Sequence, residues 1–275
     1  MSASTPASSQ DSGVQDSGVQ DSAQPQTTRW DLDEVAVGYE QWDNTICWVF
    51  GYPYVFRALG LGTAPMDKVL DLGCGPGIVT EHIARSYDIA ALGADASPAM
   101  VRLARQHHAH PLVEYRLMGD GGLDFLANAS VDAALCCFVF ITVPDLDTIR
   151  GLVREAYRVL RPGGRLSVLE VHPENTGVRF AAFQVGEPGH AYRDGELKRS
   201  QLFVGDQAVD LVDVHWSEPT VTEALTGAGF RDVRREEPVL ADALGVADPE
   251  RVGRGAWDQE RTTPPFLILT GTKPA

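Results

Sequence analysis

The stretch VLDLGCGPG, positions 69–77, closes an apolar run with glycine at every second position: Gly73, Gly75 and Gly77. Without a Cβ, such a loop turns sharply and lets its backbone approach a ligand. Three ligands compete for it: a nucleoside triphosphate, a dinucleotide or S-adenosylmethionine. A triphosphate loop needs G-x-x-x-x-G-K-[ST], and no lysine follows Gly77. The dinucleotide fingerprint G-x-G-x-x-G wants a third glycine where Ile78 stands, which weakens that reading. Carboxylates recur where apolar runs end: Asp71 in VLDLG, Asp95 in GADASP and Asp120 in MGDGG. Farther along, His172, in LEVHPENTG, ends another apolar run, two residues after Glu170 and therefore on the same strand face.

These residues need elements to position them. KVLDLG reads as a strand, GIVTEHIARSY as a helix, IAALGAD as a strand and SPAMVRLARQHH as a helix, with Ser97 as N-cap and Pro98 in its first turn. VEYRLMGD and VDAALCCFVFI supply two more strands. DLDTIRGLVREAYRVL is a helix that stops at the turn RPGG, and RLSVLEVH is the fifth strand. Apolar strands without alternation, interleaved with helices, predict an α/β fold with a mainly parallel sheet covered on both faces. VTEALTGAGFRDVRREEPV and PFLILTGTKP predict a further helix and a closing antiparallel hairpin.

The N-terminal side divides in two. Residues 1–28 carry the repeat QDSGV-QDSGV-QDSAQ and almost no large apolar groups, which predicts a disordered tail. Over 29–64, Tyr39, Trp42, Trp48, Phe50, Tyr52, Tyr54 and Phe56 fit one or two amphipathic helices broken near Gly51 and Pro53, a helical cover for the main domain at 65–275. A net charge of −15 disfavours a nucleic-acid partner. No apolar stretch reaches the roughly 18 residues of a membrane span. Four cysteines, Cys47, Cys74, Cys136 and Cys137, without a C-x-x-C pattern, point to the reducing cytoplasm and read as small buried hydrophobes.

D-x-G-x-G-x-G at the first strand-to-helix turn, with LRPGG at 160–164, resembles the signature of class I S-adenosylmethionine-dependent methyltransferases, especially the small-molecule enzymes of bacterial biosynthesis. The resemblance spans Val69 to about Val171. It implies a Rossmann-like, doubly wound seven-stranded sheet and S-adenosylmethionine as methyl donor, leaving as S-adenosylhomocysteine. It also implies roles: the three loop glycines and Asp71 at the amino-acid end, Asp95 with Ala96 on the ribose, and Asp120 with Gly121 at adenine. Cys137 and Phe138 would line the methionine moiety, and Tyr39 would close over its carboxylate.

Methyl transfer from a sulfonium is an in-line displacement that needs alignment and exclusion of water. An acceptor that must lose a proton also needs a base. His172 is the first candidate, because it ends a strand at the ligand-facing edge, and His215 is the second. His107, His108 and His110 read as solvated and His82 as structural; no metal site is expected. The segment 173–216 departs from the strand–helix rhythm and is where relatives build a substrate cover. Arg179, Phe183, Tyr192 and Trp216 from it, with Trp42, are the candidate acceptor contacts. The function expected is methyl transfer to oxygen or nitrogen of a small, planar or aromatic metabolite in secondary or cofactor biosynthesis. The alternative is a non-methylating cyclisation or elimination on the same fold. Monomer and homodimer both fit.

Overall fold

The computed structural model describes Met1 and residues 27–40, 42–119, 122–205 and 207–275. The QDSGV repeat lies outside them, and so do Asp120 and Gly121. Thr28, which the sequence assigns to the tail, is hydrogen-bonded: its N–H donates to the Val212 carbonyl at 3.0 Å, and the Val212 N–H donates to its hydroxyl at 2.7 Å.

The aromatic N-terminal segment forms three short helices, α1 (Asp33–Glu40), α2 (Thr45–Phe50) and α3 (Tyr52–Leu59), rather than the one or two that spacing suggests. The chain turns between α2 and α3 at Gly51. A Cβ there would lie 2.9 Å from Leu169 and 3.0 Å from the Cys47 carbonyl, so only glycine lets these helices bend onto the sheet.

Strands and helices then alternate: β1 (Lys68–Leu72), α4 (Ile78–Tyr87), β2 (Ala90–Asp95), α5 (Pro98–His107), β3 (Val113–Leu117), β4 (Val131–Cys137), α6 (Leu146–Val159) and β5 (Leu160–Val171). A three-stranded antiparallel meander follows, β6 (Phe183–Val185), β7 (Leu197–Val204) and β8 (Gln207–Val214). The chain ends with α7 (Glu218–Ala228), β9 (Arg231–Glu236), α8 (Leu240–Ala243), α9 (Pro249–Arg254) and β10 (Phe266–Thr272). The main sheet runs β3-β2-β1-β4-β5-β10-β9, with β1 to β5 parallel and β10 antiparallel to both its neighbours. This is the mainly parallel, doubly wound sheet expected. Its closing antiparallel pair is joined not by a tight turn but by residues 237–265, which carry α8 and α9.

Successive residues of the central strands feed opposite cores. Val69, Leu135, Leu169 and Ile268 pack with Phe50, Val55 and Ile83 on one face. Leu70, Ala134, Val168 and Leu267 pack with Ile149, Val153 and Leu225 on the other. Strands buried on both sides have no polar face to show, which is why their sequences lack alternation. Ser97 caps α5 as expected, accepting the Met100 N–H at 3.2 Å, and Asp145 caps α6 through Thr148 at 2.8 Å; each such cap contributes about 1 kcal/mol. The stretch RPGG, expected as a turn, is instead the irregular start of β5. Gly163 and Gly164 exchange backbone bonds with Lys273, and the β4 register slips between Val131 and Ala133.

Candidate active site

The glycine loop follows β1, where the sheet order reverses and open α/β sheets bind ligands. Gly73, Gly75 and Gly77 all have positive φ, +74°, +52° and +92°. Their neighbourhoods differ. A Cβ on Gly73 would meet Val139 Cγ2 at 2.2 Å, and one on Gly77 would meet the Tyr115 hydroxyl at 2.5 Å, whereas one on Gly75 would meet nothing within 4 Å. Gly75 is therefore the open rim of the loop. Gly77 is closed in by Tyr115 and Ala104 and does not line the cavity beyond the loop.

Asp71 also lies away from the cavity wall. It is buried under the loop and accepts the Thr80 hydroxyl at 2.6 Å, which ties β1 to the first turn of α4. Burial pushes its carboxyl up to about 7, against the Thr80 bond. Asp95 does reach the cavity. Its two oxygens accept the Gly75 and Ser97 N–H groups, each at 2.8 Å, fixing the carboxylate at the end of β2 with lone pairs to spare.

Beyond the loop lies a cavity of about 690 Å³, within the range of about 300–1,000 Å³ that small-molecule sites occupy. Gly73, Gly75, Asp95 and Ala96 form one wall, and Cys137 and Phe138 at the end of β4 the floor. Met118, Gly119 and Gly122 line it as well, while Asp120 and Gly121 lie outside the described residues. Glu155 lines the same end and pairs with Arg158, which also holds the Leu123 and Leu126 carbonyls.

Tyr39 and Trp42 line the cavity from the N-terminal side. Tyr39 packs edge-on against Trp30 at 5.2 Å, and Trp42 donates its indole N–H to the Ala182 carbonyl at 3.2 Å, joining this cover to the meander. Trp30 lines the cavity too, and an aromatic residue at the edge of a polar tail is its signal in the sequence.

The meander supplies the opposite wall, and most of the expected lid contacts are not on it. Phe183 is. Arg179 is exposed and stacks its guanidinium on Phe203 at 3.8 Å. Tyr192 accepts the Glu187 N–H at 3.0 Å on an outer loop, and Trp216 donates to the Val143 carbonyl at 3.0 Å from the second core. His172 is buried and bonds Glu237 through Nε2 while its own N–H donates to the Pro265 carbonyl at 3.0 Å. It fastens the end of β5 to the 237–265 connection and is not among the residues that line the 690 Å³ cavity. His215 stacks on Tyr192 at 5.9 Å, outside the cavity, and burial lowers its pKa. Both histidines stand near strand ends, but their side chains turn to Glu237 and Tyr192.

Inward positions of the meander instead present Val185, Leu202, Leu211, Ser200 and Asp213. Asp213 sits between Leu211 and His215 in the period-2 pattern, and a carboxylate at an inward position was the readable signal. All four cysteines are free, and burial pushes their thiols far up, as suits buried hydrophobes.

This constellation fits a nucleoside with an aliphatic arm: an open glycine rim, a carboxylate fixed for a ribose diol, and an enclosed floor. Together with the strand order it defines the class I methyltransferase architecture. Residues 69–164 match the methyltransferase-domain family. The chain is 38% identical over 213 residues to N-demethylindolmycin N-methyltransferase of Streptomyces griseus, covering 76% of this chain and 90% of that protein. It is 39% identical over 124 residues to demethylmenaquinone methyltransferase of Tropheryma whipplei, 44% of this chain and 48% of the relative. The CcbJ methyltransferase structure from Streptomyces caelestis aligns with a TM-score of 0.60 at 17% identity, covering 90% and 99% of the two chains. The chain belongs to the class I S-adenosylmethionine-dependent methyltransferases. These relatives favour methyl transfer over the non-methylating alternative. Among the described residues, no helix is long and apolar enough to cross a membrane.

Proposed function

We propose that the protein transfers a methyl group from S-adenosylmethionine to a small, largely apolar, planar acceptor of secondary metabolism, enclosed between Phe138 and the meander. The observation that carries this reading is the continuous cavity from the Gly75 rim to the inward face of β6–β8. When bound, the donor supplies an electrophilic methyl on a sulfonium and takes the bond pair back on sulfur. The residues do the rest. Asp95 accepts the ribose hydroxyls, while Gly73 and Gly75 admit the amino-acid arm and Asp71 braces the loop from below through Thr80. Ala96, Met118, Gly119 and Gly122 flank adenine. Cys137, Phe138 and Tyr39 surround the methionine arm, and Trp42 and Phe183 hold the acceptor's plane and exclude water. In this reading the chain works in the cytoplasm without a nucleic-acid or membrane partner, as monomer or homodimer.

The relative named for N-methylation spans most of this chain and supports nitrogen as the atom methylated. The test is incubation of the protein with methyl-labelled S-adenosylmethionine, a panel of phenols, amines and carboxylates, and host extract, followed by mass spectrometry. Label on a small molecule gives the acceptor's mass. Tight cofactor binding by calorimetry with no label transferred from any of these would count against methyl transfer.

A further inference from the structure

The acceptor end of the cavity carries a group that an apolar pocket has no use for. Asp213, on the inward face of β8, is 3% exposed and lines the cavity beside Leu211 and Leu202. Its Oδ2 accepts the Ser200 hydroxyl from β7, while its Oδ1 has no hydrogen-bond partner among the described residues. Lys198 faces Asp213 across the β7–β8 pair, but its charge is shared with the buried Glu170, beside which it lines a second, much smaller cavity. It closes no ion pair with Asp213. A buried carboxylate oxygen without a donor is costly, so a wall that keeps one is built for a ligand that brings the donor.

We propose that Asp213, held in place by Ser200, is the seat of a nitrogen-bearing acceptor: an amine on an apolar body, whose N–H group donates to Oδ1. This rests on the reading of the cavity as the site of methyl transfer. A carboxylate-bearing acceptor would meet a like charge there, and a hydroxyl would give the weaker, uncharged bond. In the transfer step the amine's proton passes to Asp213 and its lone pair forms the N–C bond. The C–S bond pair goes to sulfur, and the Asp213 carboxyl then releases the proton to solvent. Burial, opposed by the Ser200 bond and the Lys198 charge, pushes this carboxyl up to about 6, which suits a proton acceptor near neutral pH. Tyr39 lines the same cavity as Asp213 and Asp95.

The test is a binding measurement on the full chain saturated with S-adenosylhomocysteine. Phenethylamine and tryptamine are titrated against their alcohol isosteres, 2-phenylethanol and tryptophol, by calorimetry or ligand-observed NMR. Each amine is expected to bind about tenfold or more tighter than its alcohol, and Asp213→Asn is expected to reduce that preference to about twofold or less with S-adenosylhomocysteine affinity unchanged. Equal binding of amines and alcohols, no binding of either amine, or a preference that survives Asp213→Asn would overturn the proposal. The wild-type ratio decides the matter even where the variant fails to fold. Failure of the wild-type chain to bind S-adenosylhomocysteine would count instead against the methyltransferase reading.

Discussion

The two walls of the cavity are made by different means. The cofactor wall is mostly backbone: glycines at positive φ, strand ends and a carboxylate pinned by two N–H groups. The meander wall is side chains on antiparallel strands, where the identity of each inward residue sets what can bind. Backbone geometry suits a nucleoside common to a whole class of enzymes, whereas in the proposed function the inward residues of the meander answer to one acceptor. The first wall is thus general and the second particular, and substitutions on them should have separable effects.

The largest expected effect breaks the first wall alone. In the proposed function, Asp95→Ala removes charge-assisted bonds to the ribose and should weaken S-adenosylmethionine binding by about 2–4 kcal/mol in calorimetry. Unchanged affinity would remove Asp95 from the cofactor site.

Gly77→Ala separates fold from ligand within the same loop. A methyl group at φ +92°, 2.5 Å from the Tyr115 hydroxyl and 2.9 Å from Ala104 Cβ, should cost about 2–3 kcal/mol of stability in denaturant unfolding. A stable variant that has lost cofactor affinity would restore Gly77 as a direct contact.

A smaller effect tests the buried carboxylates behind the meander wall. Burial raises Glu170 to about 8, against its bonds from the Phe140 and Ile141 backbone and the Lys198 charge, while Asp213 adds to the rise. Its folded pKa lies above the unfolded value, so the folded state holds the extra proton. The stability it contributes is full below about pH 4.5 and is lost as pH rises through about 8. Glu170→Gln should therefore match wild type in Tm at pH 5 and exceed it at pH 9. Asp71 and Asp213, also raised, will leave part of the slope in place. Parallel Tm profiles for the two proteins would contradict this account.

The smallest effect is a near absence. His172→Gln should leave kcat and cofactor affinity within about twofold of wild type, because the imidazole serves the Glu237 contact and the end of β5. A large fall in kcat with an intact fold would return His172 to the reaction.

The sequence by itself determined the sheet, the glycine loop and the cofactor. Apolar runs without alternation, Ser97 before Pro98, and carboxylates at strand ends are local signals, and each is imposed by short-range geometry. The tertiary structure decided the rest. Gly77 and Gly75 look alike in the chain, and what separates them is Tyr115, 38 residues away from Gly77. His172 stands at a strand end as Asp95 does, yet it turns to Glu237, a partner 65 residues on. Asp213 lines the cavity because β7 and β8 pair in a register that turns it inward beside Ser200. Direction of a side chain at a strand end, and register in a meander, depend on which distant residues occupy the space around them, and close packing settles that only when the whole chain is in place.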